Sequence, residues 1–206
     1  MIQYDTLTIK ETNAQLVSLK AYGQENKIPI IQDDTLAFIL QMIAITQPKH
    51  ILEIGTAIGY SSIAMAVFAP SVTITTIEKN PDMITLAKAH MTAYQRTQQI
   101  TLIEGDALAC PIDFISAPID LLFIDAAKAH NIRFFERYEP YLSNCAIVIV
   151  DNVYYRNLKS DVIHNKSLKR MVLKIEQFRE YIVNKEGYDS QIYPIGDGIS
   201  LSIKKV

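Results

Sequence analysis

The sequence has few cysteines, no tryptophan and no long apolar run, and these absences exclude several classes of protein. Its 206 residues contain two cysteines, Cys110 and Cys145, so we exclude a disulfide framework and expect a reduced, cytoplasmic setting. No stretch approaches the roughly 18 uninterrupted apolar residues of a membrane span. The first residues lack the basic-then-apolar layout of a secretory signal. The net charge of −2 gives no overall attraction to nucleic acid, but it leaves room for a local basic patch.

Several short motifs of catalysis and binding are also absent. The sequence has no Gly-x-Ser-x-Gly, so a hydrolase with a nucleophile elbow has little support. It has no Gly-x-x-x-x-Gly-Lys-Ser/Thr, which excludes a P-loop. Its four histidines and two cysteines show no metal-ligand spacing, which argues against a zinc site.

Short β-branched segments alternate with helical patterns along the chain. The segments read as strands that are apolar on both faces, at 50–55, 72–78, 99–105, 119–125 and 146–152. Between them lie amphipathic helices, one of which begins with Asn80 as N-cap and Pro81 at its first position. This alternation predicts an α/β fold with a doubly wound, mostly parallel sheet.

The two ends of the chain differ from this pattern. Residues 190–206 read as two strands joined by Gly196-Asp197-Gly198, which predicts an antiparallel C-terminal hairpin and brings the sheet to seven strands. Residues 10–47 read as two helices with a break at Asn26–Ile30. We therefore expect a single domain over 1–206, with an N-terminal helical cap at 1–47 and a core at 48–206.

The segment ILEIGTAIGYSS, Ile51–Ser62, predicts a ligand site after the first strand. In doubly wound sheets, ligands bind beyond the carboxyl ends of the strands. Gly55 and Gly59 let the backbone turn sharply and let a ligand approach it, and the next helix offers free N–H groups. Glu78 ends the second strand, where an acid can bind two ribose hydroxyls. A tight strand-to-helix turn without a ligand stays open as the alternative.

The spacing of Gly55 and Gly59 narrows the choice of ligand. Gly-x-x-x-Gly differs from the Gly-x-Gly-x-x-Gly of dinucleotide-binding proteins. Preceded by Glu53 and followed by a ribose acid, it resembles the motif of S-adenosylmethionine (SAM)-dependent methyltransferases. Asp106 and Ala107, in EGDA at the end of the third strand, are candidates for the adenine side, or they form a plain turn.

Oxygen-bearing side chains stand at the ends of the fourth and fifth strands. Asp125 ends the fourth strand, and Asp151 and Asn152 end the fifth. Neighbouring parallel strands would bring all three to one edge of the sheet, where they suit a hard cation such as Mg²⁺. Lys128 lies one helical turn beyond Asp125 and could reach the same space. Helix caps are the alternative reading of these residues.

Five motifs, in this order, resemble the cation-dependent O-methyltransferases, which include catechol and caffeoyl-CoA methyltransferases. They are EIGTAIGYSSIAMA, IEKN, EGDAL, FIDAAK and VDNV. Two further segments, QPKHILEIGTAIGYSSIAMA and YPIGDGISLSIKK, resemble the bacterial tRNA 5-hydroxyuridine methyltransferases in particular. The resemblance implies a Rossmann-like SAM-methyltransferase fold, SAM and Mg²⁺ as cofactors, and a homodimer.

The resemblance also implies roles for individual residues. The metal ligands would be Asp125, Asp151 and Asn152, and Lys128 would act as the catalytic base beside Asp125. The residues implied for SAM are Ile31, Glu53, Gly55, Thr56, Gly59, Tyr60, Ser61, Glu78, Asp106, Ala107 and Asp125.

A basic run follows the presumed metal ligands and bears on the substrate. Residues 156–174 carry six cations against one acid, and Arg156, Lys166, Lys169 and Arg170 are the candidates for RNA binding. We therefore predict methylation of 5-hydroxyuridine to 5-methoxyuridine at the wobble position of a tRNA anticodon loop. A solvated helix face is the alternative for the basic run.

Two other functions stay open. One is a small-molecule methyltransferase of the catechol or caffeoyl-CoA type, acting on a phenolic substrate. Animal catechol enzymes carry a tryptophan directly before the catalytic lysine, whereas this chain has Ala127 there. The other is a noncatalytic SAM- or RNA-binding module.

Overall fold

The computed structural model describes residues 8–154, 161 and 163–206. The chain forms two compact units, Met1–Phe114 and Ile115–Val206. Within the described ranges, no helix is both long enough and apolar enough to cross a membrane. The expectation of a single domain over 1–206 stays a prediction.

The first unit contains five helices and three strands within its described residues. The helices are α1 (Ile9–Gln15), α2 (Val17–Glu25), α3 (Asp33–Thr46), α4 (Tyr60–Phe68) and α5 (Pro81–Ala93). The strands are β1 (His50–Ile54), β2 (Thr73–Glu78) and β3 (Ile100–Glu104). β2 pairs in parallel with both β1 and β3.

Local sequence explains where several of these elements begin and end. Asn80 caps α5 as predicted, because its side-chain oxygen accepts a hydrogen bond from the N–H of Asp82 at 2.9 Å and Pro81 occupies the first helical position. Within its described residues, the helical cap has three helices rather than two, because the chain turns at the buried Leu16. The prediction of strands apolar on both faces is wrong for β3, which lies at the sheet edge and buries only Ile100 fully.

The second unit contains two α-helices and four strands within its described residues. The strands are β4 (Ile119–Ile124), β5 (Leu142–Asp151), β6 (Tyr188–Tyr193) and β7 (Ile199–Lys204), and the helices are α6 (Asn131–Tyr138) and α7 (Lys166–Val183). Short 3₁₀ helices lie at Lys128–His130 and Glu139–Tyr141. β5 begins four residues earlier than predicted, and a register shift interrupts its pairing with β4 between Ile119 and Leu121.

The seven strands form one sheet in the order β3-β2-β1-β4-β5-β7-β6. β4 and β5 are parallel, and β7 is antiparallel to both β5 and β6, which confirms the predicted C-terminal hairpin. α7 buries four of the five residues predicted for its apolar stripe, namely Val172, Ile175, Phe178 and Ile182, while Met171 is half-buried. The predicted fold class is confirmed.

Candidate active site

In the first unit, the loop between β1 and α4 turns at two glycines. Gly55 has φ +105° and Gly59 has φ +83°, a left-handed region that L side chains rarely adopt. A side chain at Gly59 would meet only ordinary contacts, so the backbone angle is the reason for this glycine. The N–H of Gly59 donates to the carbonyl of Thr56 at 2.8 Å, and Gly59 then caps α4. The predicted tight turn is therefore present.

Beneath this loop, Glu53 is fully buried among hydroxyl groups. Its carboxylate accepts hydrogen bonds from the hydroxyls of Ser61 (2.5 Å), Thr76 (2.5 Å) and Ser62. The hydroxyl oxygens of Thr56 and Thr76 lie 2.6 Å apart. Glu53 thus ties β1 to β2 and to the first turn of α4, and it holds the glycine loop in place without exposing surface of its own.

Glu78, predicted to bind ribose, also supports the loop. One carboxylate oxygen accepts from the N–H of Ala57, and the other accepts from the N–H groups of Lys79 and Asn80, each at 2.9 Å. A carboxylate has about four acceptor positions. In this conformation, three backbone N–H groups use part of that capacity, and the binding of ribose hydroxyls by Glu78 stays a prediction.

The other residues predicted for SAM differ in exposure. Ile31, Tyr60 and Ala107 are buried, whereas Asp106 is exposed, with a carboxylate oxygen 3.7 Å from the ammonium of Lys79. Burial, helped by the negative charge of Asp33, raises the pKa of Tyr60 to about 12, so its hydroxyl stays protonated at neutral pH. Asp33 opens α3, which packs on α4.

In the second unit, the predicted metal residues come together at one edge. Ile124 pairs with Val150 in the parallel ladder, so Asp125 and Asp151 leave adjacent strands side by side. Asp151 is 2% exposed, and its carboxylate accepts a hydrogen bond from the N–H of Asn152 at 2.6 Å. Lys128 donates to Asp125 at 2.5 Å. The cluster therefore contains two carboxylates, one amide and one ammonium group.

The electrostatics of this cluster suit a cation. Burial, with the negative charge of Asp125 as the second cause, raises the pKa of Asp151 to about 6. Hydrogen bonds from Asn152 and the positive charge of Lys128 lower the pKa of Asp151, but by less than burial and Asp125 raise it. Two carboxylates that repel each other in a buried place are stabilised by a bound positive charge.

The donor set matches Mg²⁺, because carboxylate and amide oxygens are its usual protein ligands and water or substrate takes the other positions. Within the described ranges, no group of three His, Cys, Asp or Glu side chains is arranged to hold a metal ion. In the predicted set, the third donor would be the amide of Asn152. The residues present therefore fit the predicted ion.

The predicted RNA-binding residues lie mostly on α7. Lys166, Lys169 and Arg170 are exposed near its N-terminus, while Arg156 lies outside the described residues. The first turn of α7 contains no acid. α7 packs against the 3₁₀ helix that begins at Lys128, so the basic surface and the catalytic lysine candidate belong to neighbouring elements.

The strand order, with its antiparallel last pair, is that of the Rossmann-like SAM-dependent methyltransferases. Residues 6–205 match the O-methyltransferase family, and the chain belongs to this family. It is therefore an O-methyltransferase, as the sequence predicted.

Named relatives agree with this assignment. The chain is 27% identical to a catechol O-methyltransferase of Niastella koreensis over 95% of this chain and 91% of that protein. It is 29% identical to a catechol O-methyltransferase of Mycobacterium tuberculosis, but that match spans 56% of this chain and only 53% of the relative.

Solved structures give the same picture. A Staphylococcus aureus protein provisionally assigned as a caffeoyl-CoA O-methyltransferase has a TM-score of 0.90 and 36% identity, covering 95% of this chain and 94% of its own. An O-methyltransferase of Bacillus cereus, solved in complex with SAH, has a TM-score of 0.77 at 21% identity, covering 100% and 93% of the two chains. The second likeness concerns the fold alone.

Proposed function

We propose that this protein is a SAM- and Mg²⁺-dependent O-methyltransferase in which Asp125, Asp151 and Asn152 hold the metal ion. The observation that carries the proposal is the paired carboxylates at the ends of β4 and β5, with the pKa of buried Asp151 raised and Lys128 as counter-ion. Membership of the O-methyltransferase family supports it.

In the first unit, the loop between Gly55 and Gly59 and the carboxylate of Glu78 would hold SAM. SAM supplies a sulfonium methyl group to an oxygen nucleophile. The Glu53 network ties both ends of this loop to β2 and α4 before any ligand arrives, so less freedom is lost on binding. Ile31, Thr56, Tyr60, Ser61, Asp106 and Ala107 belong to the same proposal, as does Asp125.

In the second unit, Lys128 would act as the base. A hydroxyl of phenol type has a pKa of roughly 10, so little of it is ionised at neutral pH. Mg²⁺ held by Asp125, Asp151 and Asn152 would supply a positive charge that lowers this pKa. With Asp125 bound to the ion, Lys128 would lose its ion-pair partner and would release its ammonium proton to solvent. The resulting amine would then take the proton of the substrate hydroxyl.

The substrate must present two neighbouring oxygens to such a site. A catechol does so, and so does 5-hydroxyuridine, whose 5-hydroxyl lies next to its 4-carbonyl. We favour the tRNA wobble base because of α7. Lys166, Lys169 and Arg170 crowd the positive end of its helix dipole, an arrangement that costs stability and that bound phosphates would relieve. A tRNA substrate places the enzyme in the cytoplasm, and the family resemblance favours a homodimer.

A small phenolic substrate is the second candidate. The catechol O-methyltransferase of Niastella koreensis matches nearly the whole chain, which favours it. Membership of the O-methyltransferase family weighs against the noncatalytic binding module, which alone predicts that Asp125→Ala changes no activity.

Mass spectrometry of tRNA nucleosides from a deletion strain tests the substrate. The proposal predicts that 5-hydroxyuridine accumulates and 5-methoxyuridine disappears, and that a plasmid copy restores the modification while an Asp125→Ala copy does not. An unchanged nucleoside profile rejects the tRNA substrate and leaves the phenolic candidate, which assays with catechol and caffeoyl-CoA then examine.

A further inference from the structure

The turn between β6 and β7 is bonded to the segment that directly follows the metal-ligand candidates. In the β5–β7 ladder, Asp151 pairs with Ile199. Beyond the ladder, the N–H of Val153 donates to the carbonyl of Gly198 at 3.0 Å, and the N–H of Tyr154 donates to the carbonyl of Asp197 at 2.8 Å. The hairpin therefore holds the backbone on both sides of Asn152.

The ring of Tyr154 lies directly on Gly198. A Cβ atom at position 198 would stand 2.3 Å from Cδ2 and 2.8 Å from Cγ of this ring, far inside van der Waals contact. The guanidinium carbon of Arg179, on α7, lies 5.2 Å from the ring centroid, within cation–π distance. Tyr154 is thus held by the hairpin turn and by α7.

Another glycine of the same unit shows that turn geometry alone does not explain Gly198. Gly187 has φ +79° and Gly198 has φ +87°, so both backbones are left-handed. A Cβ atom at Gly187 would meet nothing within 4 Å. Position 198 therefore carries a second requirement, the close approach of the Tyr154 ring, which position 187 lacks.

Asn152 needs such support from its neighbours. Its φ is +61°, in the left-handed region that residues other than glycine adopt rarely, although asparagine tolerates it better than most. The direction of its side chain follows from this backbone angle. If Val153 and Tyr154 were free to move, Asn152 could relax to a common backbone conformation, and its amide would leave the cluster.

We propose that Gly198, Tyr154 and Arg179 are positioning residues for the metal ligands Asp151 and Asn152. The inference rests on the proposed metal site. It gives a role to the Gly-Asp-Gly turn, which the sequence marks only as a hairpin connection. The turn fixes the backbone around Asn152. The Tyr154 ring contacts both this turn and Arg179 of α7, so α7 also helps to hold the ligand segment in place. None of the three residues needs to touch the ion.

Binding of Mn²⁺, followed by electron paramagnetic resonance, tests this without a turnover assay. We expect Gly198→Ala to weaken Mn²⁺ binding by about 10- to 100-fold, the usual effect of losing a residue that supports a metal ligand. Gly187→Ala is the matched control, because it strains a similar backbone without a clash, and it should bind Mn²⁺ as the wild type does. Calorimetry with SAM should give unchanged affinity for both variants.

Two further variants leave the backbone of the turn intact. Tyr154→Ala should weaken Mn²⁺ binding. Adding Gly198→Ala to it should cost less than Gly198→Ala costs in the wild type, because the clashing ring is gone and only the contact with the backbone nitrogen of residue 154, at 3.0 Å, remains. Arg179→Ala should weaken binding, and Arg179→Lys should restore part of it. If Gly198→Ala does not fold, wild-type Mn²⁺ affinity in both Tyr154→Ala and Arg179→Ala overturns the inference.

The same experiment separates this inference from the proposed function. If the wild type binds no Mn²⁺, or if Asp125→Ala binds it equally well, the metal site itself is rejected. If the wild type binds Mn²⁺ through Asp125 and the Gly198, Tyr154 and Arg179 variants match it, only the positioning role is rejected.

Discussion

The buried carboxylate of Asp151 should make the metal-free protein less stable as the pH rises. Its pKa lies at about 6 in the folded chain against 3.8 for an ordinary aspartate, chiefly because of burial and the charge of Asp125. The folded state therefore holds this proton more tightly than the unfolded state. The resulting stability is fully present below pH 3.8 and is lost as the pH rises through 6.

The size of the effect follows from the shift. A shift of about two pKa units corresponds to about 3 kcal/mol in total, at about 1.4 kcal/mol per unit. Most of this change in stability falls in a pH range where unfolding is easily measured. The linkage relation gives a decrease of about 2 kcal/mol in the free energy of unfolding between pH 4.5 and pH 8. Asp151→Asn carries no titrating carboxyl, so the variant should not show this loss.

Urea unfolding in the presence of EDTA measures the difference directly. We expect the wild type to lose about 2 kcal/mol in free energy of unfolding, relative to Asp151→Asn, between pH 4.5 and pH 8. Asp189→Asn, which removes an exposed carboxylate of β6, should keep the wild-type slope. Added Mg²⁺ at pH 8 should stabilise the wild type and leave Asp151→Asn unaffected, because the cation replaces the proton. Equal pH slopes in the wild type and Asp151→Asn would refute this electrostatic reasoning.

Three other predictions concern separate parts of the protein. Lys128→Ala should slow methyl transfer by about 100-fold or more while calorimetry shows unchanged SAM affinity, and near-normal turnover would remove Lys128 from the role of base. Glu53→Ala leaves three hydroxyls without their acceptor and should lower the free energy of unfolding in urea by about 3 kcal/mol. Glu25→Ala, at an exposed position, should leave the free energy of unfolding almost unchanged. Equal decreases in the two variants would contradict the buried network. Lys169→Glu with Arg170→Glu should weaken tRNA binding in filter assays while SAM affinity stays unchanged. Lys10→Glu with Lys205→Glu, which changes the charge equally at two exposed positions, should not weaken tRNA binding. Equal weakening by both pairs would mean a general charge effect instead of a binding surface on α7.

Strand positions were predictable because they depend on local pattern. The ends of β1, β2 and β4 follow the change from β-branched runs to turn residues, and Asn80 with Pro81 marks the start of α5 by local capping chemistry. The exposure of β3 was not predictable from its apolar residues, because it depends on the place of the strand at the sheet edge.

The candidate site was predictable where strand ends alone decide it. Asp125 and Asp151 meet because β4 and β5 are parallel neighbours, which the alternation of strands and helices implies. The hydroxyl of Thr76 under Glu53 was missed, since it requires the β1–β2 register, although polar threonines in the buried strand TITTIE were a signal. The contact of Tyr154 with Gly198 was missed for the same reason, because it depends on how β7 pairs with β5.

The most direct test of the metal-dependent chemistry is a methyl-transfer assay in which the divalent ion is the only variable. Purified protein is incubated with labelled SAM and tRNA from the deletion strain, first with EDTA and then with increasing Mg²⁺. We expect no transfer in EDTA, saturable recovery with Mg²⁺, and no recovery in Asp125→Ala or Asp151→Ala. Transfer that proceeds at full rate in EDTA would contradict the account.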